Sequence, residues 1–573
     1  MSHRRRLLLS QLGQNKQWLH FRGERVQQGS TYSKPICDTV WEASQFGPMF
    51  SRSCGWDGKR SAQYQQGLPL PQRQLQSPQM GRYLYGRFIS DHEPTVALGL
   101  LVLALFAVYK LVLERDPSSP PGPIGLPIVG YMPFLGRKMN KSLTALSEKY
   151  GDVYQVAIGT RNILVICGND AIREAFAPGK EDFSGRPDFF TYRLADTAFG
   201  FADWGPRYRA LRKIGVKSLG AFANTRNTDL QNTAKDAAAD FIAVCKGRAN
   251  APFNPKDDLY RIVCGIMGFI CYGKRFKAED EELQTILGTA DEVGKTVVAG
   301  VLVDYIPSLS FLMRGQIERY TRVMNKIRGY SASLVAKVLE NRVPGETPTT
   351  VAAAMAKAGE DMSPEDKAAL QISDQKIKGM VSNLFGAGFG TISITIQLVR
   401  VVGEVSEENP TAAPDFSNIR DLPYLNACIT EIYRYSSIAS VAITHCTTKD
   451  TVFRGFNIRK GTPVIPNLYS GHHDARYFPK PSKFQPERFI KADGTFDSLF
   501  AERVFPYGQG HRRCGGEALA KLEVFLFLAS IFHRCKVEQA PGQPLDPIDG
   551  YNFTFGLDPT PFEIVMKSRF KEW

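Results

Sequence analysis

The chain has 573 residues, of which 43% are hydrophobic, and a formal net charge of +14. Its ten cysteines include no CxxC pair, which excludes a disulfide scaffold and favours a reducing compartment. The basic surplus suits an anionic membrane surface or an acidic protein partner. Because no nucleic-acid-binding motif accompanies the basic residues, no nucleic-acid partner is expected.

Residues 1–79 form a basic segment with eleven Lys or Arg against four Asp or Glu. They are rich in Gln, Gly and Ser and have no sustained hydrophobic period, so they are predicted to be disordered. The Arg-rich opening at residues 1–10 is also typical of a mitochondrial presequence. The preferred interpretation is that translation naturally starts at Met80 and that the upstream residues come from an extended gene model.

Residues 80–116 are predicted to form a membrane anchor. The stretch 95–113 has 19 residues and a single charge, at Lys110. At about 1.5 Å per helical residue it reaches roughly 28 Å, close to the thickness of a bilayer core. A buried core helix is the alternative. Basic residues are more frequent after the span than before it, which orients the following domain towards the cytosol.

Residues 117–127 contain five prolines and are predicted to form a stiff hinge, because proline fixes φ and restricts the residue before it. The remaining residues, 128–573, are expected to form one catalytic domain. Alternating apolar residues at 153–158 and 162–167 predict a short β-hairpin. Amphipathic helical patterns dominate afterwards, so the predicted fold class is mainly α with a small β portion.

A glycine-rich run, Gly386-Ala387-Gly388-Phe389-Gly390-Thr391, lies inside an apolar helical pattern that begins near Asp374. Glycine in a helix interior costs about 1 kcal/mol relative to alanine, so the run requires a reason. One reason is close packing against a neighbouring helix. The other is space for a ligand beside the helix.

Two charged motifs follow this run. Glu431 and Arg434 are three residues apart, on one face if the segment is helical, where they can pair. Arg488 lies in a Pro-Glu-Arg-Phe sequence further along the chain. An isolated Glu-x-x-Arg is a common surface arrangement. These residues therefore indicate a functional role only because they precede the next motif in a particular order.

The most informative stretch is residues 507–516, Tyr-Gly-Gln-Gly-His-Arg-Arg-Cys-Gly-Gly. It presents Cys514 in a glycine-rich, arginine-flanked loop just before an apolar helical pattern. The glycines allow the backbone to turn and to approach a flat ligand closely. The dipole of a helix that starts after Gly516 would stabilise a thiolate. A lone cysteine is otherwise usually a small buried apolar residue.

This stretch resembles the haem-binding loop of the cytochrome P450 superfamily, Phe-x-x-Gly-x-Arg-x-Cys-x-Gly, with Tyr507 where phenylalanine is usual. The matching positions are Gly510, Arg512, Cys514 and Gly516. The Glu-x-x-Arg and Pro-Glu-Arg-Phe motifs precede it in the family order, and the resemblance spans roughly residues 120 to 567. Residues 186–192, 384–389 and 445–448 look closest to the animal microsomal branch with aryl hydrocarbon hydroxylases and steroid 17-hydroxylases.

The resemblance implies a cytochrome P450 fold that binds haem b, with the Cys514 thiolate as the axial iron ligand. A thiolate ligand pushes electron density onto iron and favours O–O cleavage. Glu431, Arg434 and Arg488 would form a buried charge triad that supports the haem-binding core. The implied haem contacts are Cys514, Arg512, Arg212, Tyr208, His445, Gly510 and Gly516.

The glycine-rich run would belong to the oxygen-binding helix of that family. Ala387 would leave room above the haem, and Thr391 would hydrogen-bond O₂. The family pattern has an acid just before this threonine, whereas this chain has Gly390. Proton delivery is therefore in question. Besides Ala387, the implied substrate-pocket positions are Phe199, Phe201, Ile438, Ala439, Ile443 and Phe553, each of which is equally compatible with an ordinary core role.

The interval between Thr391 and Glu431 is shorter than the family pattern requires. A further helix is expected there, and the sequence resembles the family pattern with a segment missing after about Gln397. A real shortened variant, a skipped exon and a faulty gene model are the three explanations.

The expected activity is that of a monooxygenase that inserts one atom of O₂ into an apolar aromatic xenobiotic, steroid or fatty acid. Electrons from NADPH would arrive through NADPH-cytochrome P450 reductase, with cytochrome b5 as an optional second donor. The expected location is the endoplasmic reticulum membrane, facing the cytosol, with the mitochondrial inner membrane as the alternative. Rival functions are a haem-thiolate isomerase or dehydratase acting on lipid hydroperoxides, and a catalytically impaired truncated variant.

Overall fold

A computed structural model of the chain describes residues 95, 97–106, 117–194, 199–222, 228–277, 280–343, 345–398, 416–542, 552–553, 557–558 and 561–570. All of them belong to one compact unit, His92–Trp573. The predicted extension 1–79 lies outside the described residues, and so do most of the predicted anchor and the segment that follows residue 398.

Helices make up most of the described chain, as the sequence predicts. In chain order they are α1 Ala97–Phe106, α2 Met132–Leu135, α3 Met139–Tyr150, α4 Asn169–Ala175, α5 Phe190–Leu194, α6 Pro206–Phe222, α7 Thr228–Gly247, α8 Lys256–Tyr272, α9 Glu281–Tyr305, α10 Arg314–Glu340, α11 Val351–Glu360, α12 Pro364–Ala369, α13 Asp374–Gln397, α14 Pro423–Ser436, α15 Leu468–His472, α16 Ser498–Ala501 and α17 Glu517–Arg534. Short 3₁₀ segments are Pro307–Met313, Phe416–Asp421, Pro486–Phe489 and Gly510–Arg512.

The β portion is small. Its strands are β1 Val153–Ile158, β2 Arg161–Ile166, β3 His445–Cys446, β4 Thr451–Phe453, β5 Phe456–Ile458, β6 Pro463–Pro466, β7 Cys535–Gln539, β8 Asn552–Phe553, β9 Leu557–Asp558 and β10 Ile564–Ser568. Four of them form one sheet in the order β1-β2-β6-β3, and three two-stranded sheets pair β4 with β5, β7 with β10 and β8 with β9. The predicted hairpin is confirmed as β1 and β2, with the second strand one residue earlier than expected.

The main core lies between α13, α17 and the helices around them. The helix α13 packs against α8, α10, α11 and α17, while α17 also packs against α7. Apart from Glu523, the middle of α17 is apolar on every side, and all residues from Leu522 to Ala529 are buried. A helix that is apolar all round belongs in the centre of a large core. These two helices therefore fix the positions of the glycine-rich run and of the cysteine loop relative to the core.

The described part of the predicted anchor is α1. Its large apolar side chains, such as Leu98, Leu103 and Phe106, are each more than half exposed. This helix has ten described residues, and the rest of the predicted span, 107–113, lies outside the described part of the chain. Among the described helices only α13 is long and apolar enough to cross a membrane. Half of its apolar window is buried inside the domain, as expected for a core helix.

Candidate haem-thiolate site

The loop around Cys514 is a tight turn that closes on itself. Main-chain N–H of Cys514 donates to the oxygen of Tyr507 at 2.8 Å. Gly508 and Gly510 have φ values of 72° and 66°, in the left-handed region that favours glycine. At Gly510 a side chain is excluded in addition, because its Cβ would lie 2.7 Å from the oxygen of Phe176. The glycines thus allow the turn that presents the cysteine.

The Cys514 side chain is solvent-accessible, unlike the other seven cysteines in the described part of the chain, which are buried. Protein surrounds the thiol closely on its remaining sides, and this desolvation raises its pKa. The N–H of Gly516 and the cations Arg212 and Arg513 oppose that rise, whereas the nearby Glu517 carboxylate adds to it. The first three groups favour the anionic sulfur, which is the form that ligates a metal.

Arg512 is half-buried, and its guanidinium has unused hydrogen-bonding capacity. Its Nε donates to the oxygen of Ser184 at 2.7 Å, and its guanidinium lies 3.8 Å from the centre of the Tyr208 ring. Both terminal nitrogens are buried and have no hydrogen-bond partner among the described residues. Desolvation, followed by repulsion from Arg186, lowers the pKa of Arg512 to about 9. An anionic group placed here would satisfy both nitrogens and offset the buried charge.

Tyr208 and Arg212 lie on α6 and face the cysteine loop. Tyr208 is buried, and its hydroxyl donates to the main-chain oxygen of His511 at 2.8 Å. Arg212 reaches the same hydroxyl oxygen from Nη1 at 3.5 Å. Tyr208 therefore supports the loop backbone through its hydroxyl and supports Arg512 through its ring. A contact between Tyr208 and haem stays a prediction.

His445 is buried in β3, beside the cluster of Arg186 and Arg512. Its Nδ1 lies 2.7 Å from the oxygen of Phe183 and must carry a proton, because a carbonyl oxygen only accepts. Burial, followed by repulsion from Arg186, lowers the pKa of His445 well below 6.5. The ring is therefore neutral and its Nε2 is an acceptor. To donate a hydrogen bond to a carboxylate through Nε2, the ring would have to take up a second proton. The carboxylate would then have to stabilise the positively charged ring.

The predicted charge cluster is assembled in the interior. Arg434 donates from Nε and Nη2 to the two carboxylate oxygens of Glu431 at 2.6 and 2.7 Å, and both side chains are fully buried. Arg434 also donates to the oxygens of His472, Pro481 and Lys483. Arg488 lies 3.5 Å from Glu431. This cluster joins α14 to the segment that leads towards the cysteine loop.

The glycines of α13 have different surroundings at different positions. A Cβ on Gly388 would lie 2.5 Å from Cε of Met267 on α8, so this glycine permits close helix packing. A Cβ on Gly386 or Gly390 would meet no atom within 4 Å. Ala387 and Thr391 are exposed although they lie in the middle of a core helix. One face of α13 therefore borders open space, and whether a ligand occupies it stays a prediction.

Thr391 donates its hydroxyl proton to the oxygen of Ala387 at 2.8 Å, with Gly388 as a second acceptor at 3.3 Å. Ser393 and Thr395 donate to main-chain oxygens of the same helix in the same manner. The Thr391 hydroxyl has to turn away from its helix before it can donate to a ligand. Gly390 supplies no side chain that could relay a proton to it.

The predicted pocket positions have different environments. Phe199 is buried against the cysteine loop, because a Cβ on Gly515 would be 3.1 Å from its ring. Phe201 packs its ring 5.0 Å from that of Tyr192. Ile438 and Ala439 are half-buried after α14, Ile443 is 45% exposed, and Phe553 lies in β8. A common pocket for these side chains stays a prediction.

Two contacts near the loop were missed by sequence reasoning. The hydroxyl of Tyr507 donates to that of Tyr433 on α14 at 2.7 Å, so the usual phenylalanine is replaced by a tyrosine with a partner. His472 accepts from the N–H of Phe505 at 3.0 Å and is fully buried. The only sequence signal for the first contact was the departure at 507 itself, because the partners are 74 residues apart.

These features fit a haem-binding site better than they fit an ordinary protein core. An accessible sulfur sits at the start of a core helix, a buried guanidinium lacks an anion, and small residues leave space along α13. Haem provides an iron for a thiolate, carboxylates for a guanidinium and a flat ring for that space. The mainly helical fold and this site together define the class of haem-thiolate proteins.

Comparison with known proteins identifies the family. The family model described as Cytochrome P450 matches residues 120–566. The chain is 34% identical over 503 residues to "Cytochrome P450 1A1" of Opsanus tau, covering 81% of this chain and 94% of the relative. It is 32% identical to proteins of the same name from Oncorhynchus mykiss and Cavia porcellus, covering 80% of this chain and 94% of each relative. The chain belongs to the cytochrome P450 family, and these 1A1 relatives confirm the predicted resemblance to its animal microsomal branch with aryl hydrocarbon hydroxylases and steroid 17-hydroxylases.

Proposed function

We propose that this protein oxidises small apolar molecules by inserting one atom of O₂ into a C–H or aromatic bond. The other oxygen atom would leave as water, and two electrons from NADPH together with two protons would balance the reaction. The observation that carries the proposal is the accessible Cys514 thiol beside Arg512, whose two terminal nitrogens have no partner among the described residues. Family membership supports the general monooxygenase chemistry.

The haem would supply oxygen activation, and the protein would supply its ligand, surroundings and substrate space. Cys514 would bind the iron, and Arg512 would bind a propionate, helped by Arg212. The buried cluster of Glu431, Arg434 and Arg488 would keep α14 and the loop segment in register. Ala387 and Gly390 would leave room for oxygen and substrate beside α13, and Thr391 would turn its hydroxyl towards that space.

The proposed substrates are flat and apolar, such as aromatic xenobiotics, with steroids and fatty acids as further candidates. Aromatic side chains support this choice, because Tyr192 and Phe201 pack together in the segment before α6. Offset or edge-to-face contacts with such rings favour aromatic ligands. A screen of aromatic, steroid and fatty-acid substrates under NADPH and reductase would rank the three classes.

We also propose that an N-terminal helix anchors the protein in the endoplasmic reticulum, with the catalytic domain in the cytosol. The exposed apolar side chains of α1 support membrane contact. NADPH-cytochrome P450 reductase would be the electron donor, with cytochrome b5 as a second donor. The mitochondrial inner membrane is the alternative location, and imaging of a C-terminally tagged chain against markers for both organelles would separate the two.

The decisive experiment is the carbon monoxide difference spectrum of the reduced protein, expressed both from Met1 and from Met80. The expected result is the red-shifted Soret band that a thiolate ligand produces. Cys514→Ser should lose this band, while Cys446→Ser, at a buried cysteine of β3, should keep it. An imidazole-type spectrum, or a thiolate band that survives Cys514→Ser, would remove the proposed ligand.

A second candidate is an isomerase or dehydratase that rearranges lipid hydroperoxides without a reductase. Gly390 favours it, since this reaction needs no relayed proton and position 390 carries no acid. The Thr391 hydroxyl is also donated to its own helix. Turnover of a fatty-acid hydroperoxide without NADPH, together with no turnover under O₂ and reductase, would decide for this candidate.

A third candidate is a chain that binds haem without efficient turnover. The short interval between Thr391 and Glu431 favours it, and residues 399–415 within that interval lie outside the described part of the chain. Inserting the helix of a related family member after Gln397, combined with Gly390→Asp, should then restore activity. Efficient hydroxylation by the unmodified chain would end this candidate.

A further inference from the structure

His472 is a buried histidine that bonds to three separate parts of the chain. It is the last residue of α15 and is fully buried. Its main-chain oxygen accepts from Nη1 of Arg434 at 3.1 Å. Its Nδ1 lies 2.9 Å from the hydroxyl oxygen of Ser437, and its Nε2 accepts from the main-chain N–H of Phe505 at 3.0 Å. One residue therefore joins the buried charge cluster to the chain that leads into the cysteine loop.

The contacts of the His472 ring determine which nitrogen carries the proton. Because Phe505 donates to Nε2, that nitrogen carries no proton, and the proton of the neutral ring is on Nδ1. Nδ1 then donates to Ser437, whose own hydroxyl proton goes to the main-chain oxygen of Arg434 at 3.0 Å. Burial, followed by repulsion from His473 and Arg434, lowers the pKa of His472 well below 6.5. The neutral ring is therefore held in one orientation and one tautomer.

Phe505 lies just before the cysteine loop and is 3% exposed. The centre of its ring is 4.8 Å from that of the His472 ring. A Cβ on Gly471 would lie 2.7 Å from Cζ of Phe505, so α15 and this ring are in close contact. The main-chain oxygen of Phe505 accepts from the N–H of Gly508 at 3.0 Å, in the turn that begins the loop. A shift of Phe505 would therefore move the turn that leads to Cys514.

We propose that His472 is a positioning residue for the iron ligand, because its ring holds Phe505 and thereby keeps the Cys514 sulfur where it binds iron. This role rests on the proposed function, since it assumes that Cys514 is the ligand. The ring acts through Phe505 and the loop backbone, and not on the sulfur itself. Arg434 and its partner Glu431 are thus connected to the loop through two hydrogen bonds of one histidine.

Two amide substitutions separate the contacts of the ring. The amide of glutamine is as many bonds from the backbone as Nε2 is, and the amide of asparagine is as many bonds away as Nδ1. His472→Gln therefore keeps an acceptor for Phe505, whereas His472→Asn leaves that buried N–H without one. An unsatisfied buried donor corresponds to about ten- to hundredfold more frequent opening of the loop. Hydrogen exchange of residues 505–514 in the holoenzyme should accelerate by that factor in His472→Asn and by much less in His472→Gln, while residues 374–397 of α13 stay unchanged.

The ligand gives a second readout, which is spectroscopic. At equal haem content, the carbon monoxide complex of His472→Asn should convert from the thiolate-type band to a band without thiolate about tenfold faster than the wild type, or more. His472→Gln should convert at nearly the wild-type rate. Rescue by glutamine assigns the effect to the bond with Phe505, because both substitutions remove the aromatic ring.

His473 provides the matched control, since it is the next residue and is also a histidine. Its ring stacks on that of Tyr469 at 3.9 Å, and its Nδ1 lies 3.1 Å from the main-chain oxygen of the same residue. His473→Asn and His473→Gln should therefore leave exchange in residues 505–514 and the conversion rate as in the wild type. Equal acceleration by both changes at His472, or an acceleration at His473 as large as that in His472→Asn, would overturn the positioning role.

Ser437→Ala tests the same bond without changing the histidine. It removes the acceptor of the Nδ1 proton, so the ring is free to carry its proton on Nε2, which then no longer accepts from Phe505. Exchange of residues 505–514 should accelerate by up to about tenfold. Ser436→Ala is the control, because the Ser436 hydroxyl donates to the oxygen of Ile432 at 2.6 Å within α14. This pair decides if His472→Asn does not fold, and equal exchange in the two alanine variants would then overturn the role.

Cys514→Ser separates the positioning role from the proposed function. A thiolate-type band that survives Cys514→Ser would remove the proposed ligand and the positioning role with it. A band that depends on Cys514, together with wild-type exchange and conversion in His472→Asn, would remove the positioning role alone. Faster exchange and conversion in His472→Asn, in a protein that never turns over with NADPH, would keep the positioning role and remove the proposed monooxygenase activity.

Discussion

The hydroxyl of Tyr507 ties the cysteine loop to α14 through Tyr433. Tyr507→Phe restores the usual family residue but leaves the Tyr433 hydroxyl without this hydrogen-bond donor, so it should cost about 1 kcal/mol of stability. Thermal midpoints of the holoenzyme provide the measurement. In a double-mutant cycle with Tyr433→Phe, the second change should cost less than it does alone. Strictly additive costs would show that the two hydroxyls do not interact.

Glu523 is a second residue whose environment predicts a measurable effect. It lies in the core on α17, is 1% exposed, and neither carboxylate oxygen has a hydrogen-bond partner among the described residues. Desolvation raises its pKa from 4.5 to about 8. The folded state keeps the proton that the unfolded state loses in this window. Its contribution to stability is therefore complete below pH 4.5 and is lost as pH rises towards 8.

Glu523→Gln removes this titration and keeps the shape of the side chain. Between pH 6 and pH 8.5 the wild type should lose about 2–3 kcal/mol of stability that the variant keeps. Thermal midpoints across that range measure this difference. The control is Glu517→Gln on the same helix, where Arg513 and Lys521 pair with the carboxylate and its pKa is lowered. A difference of equal size in both variants would contradict the assignment to Glu523.

At the scale of elements, α13 has room for the acid that the family pattern places before Thr391. Gly390 has no atom within 4 Å of a built Cβ. Gly390→Asp should therefore fold normally, and under the proposed function it should increase the share of NADPH electrons that end in oxidised product. The measurement is product formed per NADPH consumed. Gly390→Asn is the matched control, because its amide has no acidic proton to transfer, and an equal increase in both variants would argue against proton delivery.

The junction between α14 and the segment before the cysteine loop depends on Arg434 more than on Arg488. Arg434→Leu leaves Glu431 buried without its bidentate partner, which costs about 3–5 kcal/mol and should abolish holoenzyme formation. Arg488→Leu should cost less, since it lies 3.5 Å from Glu431 and its other bonds go to carbonyl oxygens. Haem content per protein gives the readout. Equal losses in both variants would contradict this order.

A control for the same experiment comes from an exposed ion pair. Arg342 donates to both carboxylate oxygens of Glu360 at 2.9 and 2.6 Å, but this pair lies at the surface. Arg342→Leu should have little effect on stability and leave haem content unchanged. A loss of haem comparable to that of Arg434→Leu would mean that haem content follows overall stability and not the buried cluster in particular.

Sequence reasoning reached the elements whose signals are local. The hairpin at 153–166, the start of α13 at Asp374 and the helix after Gly516 follow from period and composition. It could not reach contacts between distant residues, such as Asp304 with Thr191, which are 113 positions apart. Nor could it separate the glycines of α13, because only the neighbouring Met267 distinguishes Gly388 from Gly390. Packing partners, and not propensity, decide such positions.

For the whole molecule, the catalytic domain and its proposed anchor should be separable. Deleting residues 1–116 removes α1 but none of the described contacts of the haem-thiolate site, so the truncated protein should keep the thiolate-type carbon monoxide spectrum. The full chain should stay in the membrane pellet after an alkaline carbonate wash, because an apolar span inserts nearly irreversibly. The truncated chain should be released by the same wash.

Replacing Leu100 and Leu103 with arginine in the full chain is the matched control. This double variant should be released like the truncated chain, since each central charge costs about 2.5–3.5 kcal/mol on insertion. Retention of the truncated chain in the washed pellet would show that another part of the protein spans the membrane.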